Sequence, residues 1–258
     1  MKIEELQGTL PDINKVYYFP EIESTNMFAK TSKLDEDSLV ITDYQVSGKG
    51  RFGRIWKSTP GLNLCFTLVK KLSLNVDEIQ LLNLYTSYSL ICVLRHLFPK
   101  LEKKLILKWP NDILLNNKKI CGVLIEVQNL KNKNKKFLIG IGLNVNQSDF
   151  PEDIANKASS LKKESKLSTD ISRESILKNF INFFYENLSL IKDRQALINS
   201  WMASSAIVDK KIKFKQHEDG LEQTGIAKGL DNDCGLIIEF PGKIRKTFYS
   251  GEISLLYD

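Results

Sequence analysis

Two short stretches hold most of the side chains that could do chemistry. The first runs Ser-Gly-Lys-Gly-Arg-Phe-Gly-Arg-Ile-Trp-Lys-Ser, from Ser47 to Ser58. Gly48, Gly50 and Gly53 free its backbone, and Lys49, Arg51, Arg54 and Lys57 charge it with no acid in between. Glycines let a main chain approach a ligand closely. Paired with fixed cations, they suit a flap that orders over a phosphate or carboxylate. A solvated basic loop is the plain alternative. Gly48-x-Gly50-x-x-Gly53 also spells the dinucleotide fingerprint, which needs a helix directly after the loop. Ile55 to Gly61 contains Pro60 and cannot open that helix, so the fingerprint reading fails.

The second stretch is Lys108-Trp109-Pro110-Asn111-Asp112, followed by Lys119, Gly122 and Glu126. Asn116-Asn117 reads as a turn, so a hairpin sets Lys119 beside the strand carrying Asn111 and Asp112, with about 5 Å between strands. A cation, a carboxylate, a carboxamide and a glycine then share one patch of sheet. Glycine inside a strand often marks close approach of a ligand or another backbone. The bland reading is a core tryptophan, a strand break and surface charge. Further candidates are Ser24-Thr25-Asn26, Gln45 at a strand end, and Asn144 closing a glycine-thinned strand. Ser24 or Thr25 serves as a helix N-cap, or as part of a helix start that meets a polar ligand.

Alternating and helical apolar patterns supply the elements that carry these residues. Strands are expected over 14–20, 39–45, 62–69, 105–109, 113–115, 120–127 and 137–146. A short helix follows Ser24 with Met27 and Phe28 facing inward. A long helix opens at Asn75 to Glu78, with Asn75 as its cap, and ends near Pro99. Residues 131–136 form a lysine-rich hairpin tip and 147–170 a loop. A second long helix spans 172–199. Short strands separated by turns, one of them at 218–220, fill the rest, which fits a small barrel. Strands in succession argue a mixed or antiparallel sheet flanked by helices, an α+β fold. The domains are 1–205 and 206–258.

Net charge is +6, spread along 258 residues. No helix-turn-helix pattern or aromatic RNA-binding signature accompanies it. The four cysteines, Cys65, Cys92, Cys121 and Cys234, are far apart, and His96 and His217 are isolated, so no metal site is expected. Three of those cysteines sit in apolar or strand-like runs and read as core residues. There is no apolar run of the length a bilayer needs and no signal-peptide core at the start, which reads as a cytoplasmic chain with no membrane contact.

Taken together, Ser24-Thr25-Asn26, Gln45, Gly48 to Trp56, Lys108 to Asp112, Lys119-x-x-Gly122 and Gly142-Leu-Asn144 resemble the biotin–protein ligases, in that family's order and spacing. Gly251-Glu252-Ile253-Ser254-Leu255 resembles the family's C-terminal SH3-like barrel. The resemblance implies a class II synthetase-like catalytic domain of the biotin/lipoate ligase type. It implies activation of biotin by ATP, with Mg²⁺, to biotinyl-5'-AMP and pyrophosphate, then transfer to a lysine of a biotin carboxyl carrier domain, such as that of acetyl-CoA carboxylase. By the same resemblance Lys119, Arg51 and Asp112 are catalytic. Ser24, Thr25, Asn26, Gln45, Gly48, Lys49, Gly50, Arg51, Lys119 and Gly122 bind biotin. Arg51, Arg54, Trp56, Asn111, Lys119 and Asn144 bind ATP, and no residue binds a metal.

Three departures stand out against that pattern. Lys49 stands where arginine is usual, Phe52 replaces a frequent basic residue and lets the flap order through apolar contact, and Leu256 stands where some members have arginine. The chain starts close to the catalytic segment, without the helix-turn-helix domain of the repressor members, so no specific DNA binding is expected. An edge strand of the sheet suits pairing with the acceptor or with a second copy in a homodimer. A lipoate or octanoate ligase of the same fold and a non-catalytic biotin-binding protein are the competing readings.

Overall fold

The computed structural model describes residues 8–74, 78–129, 135–216 and 220–256. The Asn75 cap, most of the lysine-rich tip and His217 lie outside the described residues.

The chain opens with β1 (Lys15–Ile22), α1 (Thr25–Thr31) and β2 (Ser38–Gln45), and the two strands pair in parallel. The flap segment then leads to β3 (Leu64–Lys71), antiparallel to β2. Helix α2 (Ile79–Leu97) precedes β4 (Leu105–Lys108), β5 (Asp112–Leu115), β6 (Lys118–Asn129) and β7 (Lys135–Leu143). The sheet order is β1-β2-β3-β7-β6-β5-β4, with every pair after the first antiparallel. This is the mixed, helix-flanked sheet that the strand succession predicted.

Strand alternation divides the apolar residues between two faces. Leu39, Ile41, Leu68 and Ile139 join the main core, while Val40, Val69 and Leu138 join a smaller cluster under α1. Helices α3 (Leu161–Ser165), α4 (Arg173–Glu186) and α5 (Arg194–Ala203) follow. Phe66 of β3 meets Phe180 of α4 at 5.6 Å between ring centroids, and Tyr85 of α2 meets Phe184 at 5.0 Å.

Three element expectations need correction. Helix α1 turns its polar start inward: Thr25, Asn26 and Ala29 are buried, Phe28 packs on the smaller cluster with Phe19 at 4.7 Å between ring centroids, as expected, and Met27 is only partly covered. The stretch 147–170 holds α3, capped by Ser160. The long helix expected over 172–199 is two helices, broken where the Asn187 side chain donates to the Phe183 carbonyl and Asp193 caps the next start by accepting from Ala196 N–H. Apolar spacing ran through the break in Leu188 and Ile191. Asn and Asp mark it, because their side chains compete for backbone partners.

A second sheet is built from β8 (Lys211–Lys215), β9 (Gln223–Leu230), β10 (Leu236–Phe240), β11 (Ile244–Phe248) and β12 (Glu252–Leu255). All its pairs are antiparallel, in the order β11-β10-β9-β8-β12, and among the described residues no ladder joins the two outer strands. Its inward residues, including Phe214, Leu236 and Ile253, are continuous with the main core. Trp109, fully buried, donates from Nε1 to the Cys234 carbonyl of this sheet at 3.2 Å. Cys65 and Cys121 are buried core residues, as their apolar runs suggested, while Cys92 is only partly covered; Cys234 is buried too, although it stands in a turn. Among the described residues, no helix is long and apolar enough to cross a membrane.

Candidate active site

A cavity of about 520 Å³ opens where α1, the flap, the 108–112 turn, the glycine-bearing strands and β12 meet. Ser24, Thr25, Asn26, Gln45, Lys49, Gly50, Arg51, Arg54, Trp56, Asn111, Asp112, Lys119, Gly122 and Asn144 all line it. Gly48 does not. It sits at the base of the flap, where a Cβ would fall 2.9 Å from both Gln45 Nε2 and the Trp56 carbonyl.

The flap is a tight hairpin. A bridge joins Lys49 to Ile55, and Gly50 N–H donates to the Arg54 carbonyl at 2.7 Å. Three contacts tie it down: Arg54 with Glu252 at 2.8 Å, Lys57 with Asp153 at 2.7 Å, and Arg51 Nη1 donating to the Gly251 carbonyl at 3.4 Å. Burial lowers the Arg51 pKa, and Arg54 nearby adds to this. Phe52 does not dock on apolar surface. It is 43% exposed at φ 57°, with the Arg51 and Arg54 guanidinium carbons 5.0 and 5.9 Å from its ring centre. At Phe52, then, charge and hydrogen bonds to Gly251, Glu252 and Asp153 stand in place of the expected apolar contact.

The β5–β6 hairpin places the lysine as expected. Asp112 pairs with Gly122 and, after a slip in register, Leu114 with Lys119. Lys119 Nζ lies 2.7 Å from Asp112 Oδ1. Burial alone would raise the Asp112 carboxyl, but Lys119 and Lys108 together outweigh it and hold it below the usual carboxylate range. Lys119 Nζ also stands 5.7 Å from the centre of the Trp56 ring, so hairpin and flap converge. The indole rests on the paired glycines Gly122 and Gly142: a Cβ on Gly142 would lie 2.6 Å from Trp56 Cε2, and one on Gly122 3.3 Å from Cζ3.

The inner end is a hydrogen-bonded network whose protons can be assigned. Asn26 Nδ2 donates to the Leu124 carbonyl and the Glu126 carboxylate, which fixes Asn26 Oδ1 as an acceptor. Thr67 Oγ1, 2.6 Å from that oxygen, must donate to it. Thr25 Oγ1 lies 2.8 Å from Thr67 Oγ1 and 3.2 Å from Gln45 Oε1, and Gln45 Oε1 also accepts the Thr25 N–H at 2.9 Å. The Gln45 amide NH₂ stands on the cavity wall beside the buried Cys65 thiol. Ser24 Oγ accepts from Met27 N–H and keeps its own proton. Asn26 is thus spent on the protein itself, and Gly140 makes room for it, since a Cβ there would fall 2.3 Å from Asn26 Oδ1.

Asn111 and Asn144 are anchored by their amide groups to the Val123 and Ser159 carbonyls. Asn144 Oδ1 and Trp56 Nε1 remain buried without a hydrogen-bond partner in the cavity wall. Sequence reasoning missed Thr67, which had no signal beyond its strand. It also missed 150–158, read only as loop, whose Phe150, Ile154 and Lys157 line the cavity. Lys119 N–H donates to the Lys157 carbonyl at 2.8 Å, a contact no local pattern encodes.

A carboxylate-paired lysine under an arginine flap gathers cations in one cleft of a mixed sheet, and the chain is similar to known ligases. The biotin/lipoate A/B protein ligase family model matches residues 18–146, half of the chain, and the biotin protein ligase C-terminal domain matches 209–256. The chain belongs to the biotin/lipoate A/B protein ligase family. It is 32% identical over 224 residues to the bifunctional ligase/repressor BirA of Bacillus spizizenii, covering 85% of this chain and 66% of that one. It is 26% identical over 222 residues to the biotin–[acetyl-CoA-carboxylase] ligase of Mycobacterium tuberculosis, covering 82% and 77%. Among solved structures, the Aquifex aeolicus biotin protein ligase in complex with biotin and ATP superposes with a TM-score of 0.77 at 28% identity, covering 95% of this chain and all of that one.

Proposed function

We propose that this chain is an ATP-dependent biotin–protein ligase acting on a biotin carboxyl carrier domain. The observation that carries the reading is the meeting of Lys119, Asp112 and the Arg51 flap over a cavity whose inner end offers free donors. Biotin's ureido head has one strong acceptor, its carbonyl oxygen. Ser24 O–H and the Gln45 amide meet it, while Gly122 and the Trp56 ring flank the bicycle. The valerate carboxylate then lies toward Lys119. Its oxygen attacks the α-phosphorus of ATP and pyrophosphate leaves. Lys119 and Arg51 neutralise the charge that builds in that step, where preorganised cations act most strongly. Asn144 Oδ1 offers an acceptor to the adenine amino group, beside Arg54, Trp56 and Asn111.

The acceptor lysine next attacks the acyl carbon and AMP departs. Asp112, held below the usual carboxylate range, is too weak a base to take a proton from an ammonium, so its role is to orient that amine. Mg²⁺, held by the triphosphate and its own waters, would offset charge on the departing pyrophosphate. The carboxylates lining the cavity, Asp112 and Glu252, are both engaged in ion pairs and do not make a metal site. The octanoyl-transferring alternative needs a reactive thiol, and burial pushes the Cys65 thiol up to about 12, despite Trp56 and Gln45 beside it.

The test is pyrophosphate release that depends on biotin and is lost in Lys119→Ala. Release driven equally by lipoate, or retained in that variant, rejects the assignment.

A further inference from the structure

Lys119 stands past the end of the strand that flanks the rest of β6. β7 stops at Leu143, opposite Cys121, so no strand lies on that side of Lys119. On the other side the β5 pairing slips between Ile113 and Leu114, which leaves Ile120 as an extra residue. A slip of this kind re-aims the side chains around it. Buried backbone groups need partners, and here the 157–159 segment supplies them. Lys119 N–H donates to the Lys157 carbonyl at 2.8 Å, and Ser159 N–H donates to the Lys119 carbonyl at 3.0 Å. Asn144 is tied into the same knot. Its backbone N–H donates to the Ile120 carbonyl at 2.8 Å, and its side-chain amide donates to the Ser159 carbonyl at 3.0 Å.

Glu164, in α3 and outside the cavity, braces that segment. Its Oε1 accepts from the hydroxyl of the fully buried Ser159 at 2.6 Å, and its Oε2 accepts from the side-chain amide of Asn116. Asn116 and Asn117 form the turn of the β5–β6 hairpin, at φ 50° and 65°. One carboxylate thus joins the segment that clamps the Lys119 backbone to the turn from which Lys119 emerges. Burial would raise the Glu164 carboxyl, but Ser159, Asn116 and the neighbouring lysines together hold it below its usual range, so near neutral pH it accepts at both oxygens.

Resting on the ligase reading, we propose that Glu164 is a positioning residue for adenylation. Without touching either substrate, it sets Lys119 and Asn144 at one fixed spacing, so that the carboxylate of biotin meets the α-phosphorus of ATP. The ureido end of the cavity is built on α1 and β2 and shares none of these bonds. The Lys119 side chain is 37% exposed, so its pairing with the biotin carboxylate adds little to affinity before ATP binds.

Biotin-dependent pyrophosphate release and biotin titration calorimetry are compared in Glu164→Ala and Asn116→Gly; glycine keeps the left-handed backbone of the turn. In each variant kcat for release falls about tenfold or more and KM for ATP rises, while biotin Kd stays within about fivefold. The double variant loses no more than the worse single one, because both changes remove the same link. Glu164→Gln can still accept from Ser159 and donate to a turned Asn116 amide, and it recovers kcat to within about threefold of the wild type. Unchanged kcat in both single variants overturns the proposal. So do biotin affinity lost in step with kcat, additive losses in the double variant, or a glutamine variant as slow as the alanine one. A wild type that releases no pyrophosphate with biotin and ATP strikes the ligase reading itself, and this inference with it.

Discussion

At the scale of single residues, proton assignment is more informative than residue type. Gln45 was legible as a polar strand end, but only its partner shows which half of the amide is free. Its oxygen holds the Thr25 N–H, so the NH₂ is the half available to a ligand. Gln45→Glu keeps the first bond and loses the donor. Biotin affinity should fall by about ten- to a hundredfold, with ATP affinity unchanged, as titration calorimetry would measure. A change under twofold removes Gln45 from the ureido contact. Asp112 leads to a pH prediction. Its folded pKa is depressed, so its stabilising pair with Lys119 is complete above the unfolded value of about 3.9 and is lost as pH falls through the lower folded value. Asp112→Asn should therefore lower the urea midpoint at pH 7, and the deficit should shrink as the pH is taken progressively below about 3.9. Between pH 5 and 8 Asp112 does not titrate. Any rise of transfer rate with pH there belongs to the acceptor amine and should persist in Asp112→Asn; disappearance of the slope would make Asp112 the base.

At the scale of elements, the glycines of β6 and β7 act as a seat. Gly122 and Gly142 are cross-strand partners, and together they leave a flat bare patch on which the Trp56 indole lies. This is how a flap built of glycines and cations is located: one aromatic ring fixes its exit. Gly142→Ala places a methyl 2.6 Å from Trp56 Cε2, too close for either to stay. Overpacking of this kind costs about 1–3 kcal/mol, and here the ring can swing away with the flap. Trp109 and Trp201 are fully buried, so a red shift in tryptophan emission reports Trp56. The variant should show that shift and release biotinyl-adenylate faster in a stopped-flow assay. Normal emission and normal retention together would mean the indole does not hold the flap.

At the scale of the whole molecule, the second sheet takes part in building the site. Its β12 end receives Arg51 and Arg54, and its 231–235 turn accepts the Trp109 N–H from the segment that carries Asn111 and Asp112. The Arg54–Glu252 pair is about half exposed and contributes little to stability; its value lies in placing the flap. The buried Trp109 bond is different. Trp109→Phe keeps most of the ring and leaves the Cys234 carbonyl without its donor, for a loss of about 1–2 kcal/mol. In a chain of this size that lowers Tm by about 2–4 °C per kcal/mol, within reach of differential scanning calorimetry. An unchanged Tm would mean that the Trp109 bond adds nothing to the joint between the two sheets.

What the sequence determined by itself was local: the strand succession, the glycine flap, the hairpin that returns Lys119 to Asp112, and the cores around each apolar run. These depend on periods of two and 3.6 and on turn residues a few positions away. The helix break at Asn187 to Asp193 and the inward polar start of α1 were written in residues that also fit the other reading. Only the tertiary structure decided the contacts that cross the chain. Arg54 reaches Glu252 over 198 positions, Trp109 reaches Cys234 over 125, and Asn26 reaches Glu126 over 100. No local pattern encodes such pairs, because they arise when two sheets bury a common core and bring their loop ends to one cleft.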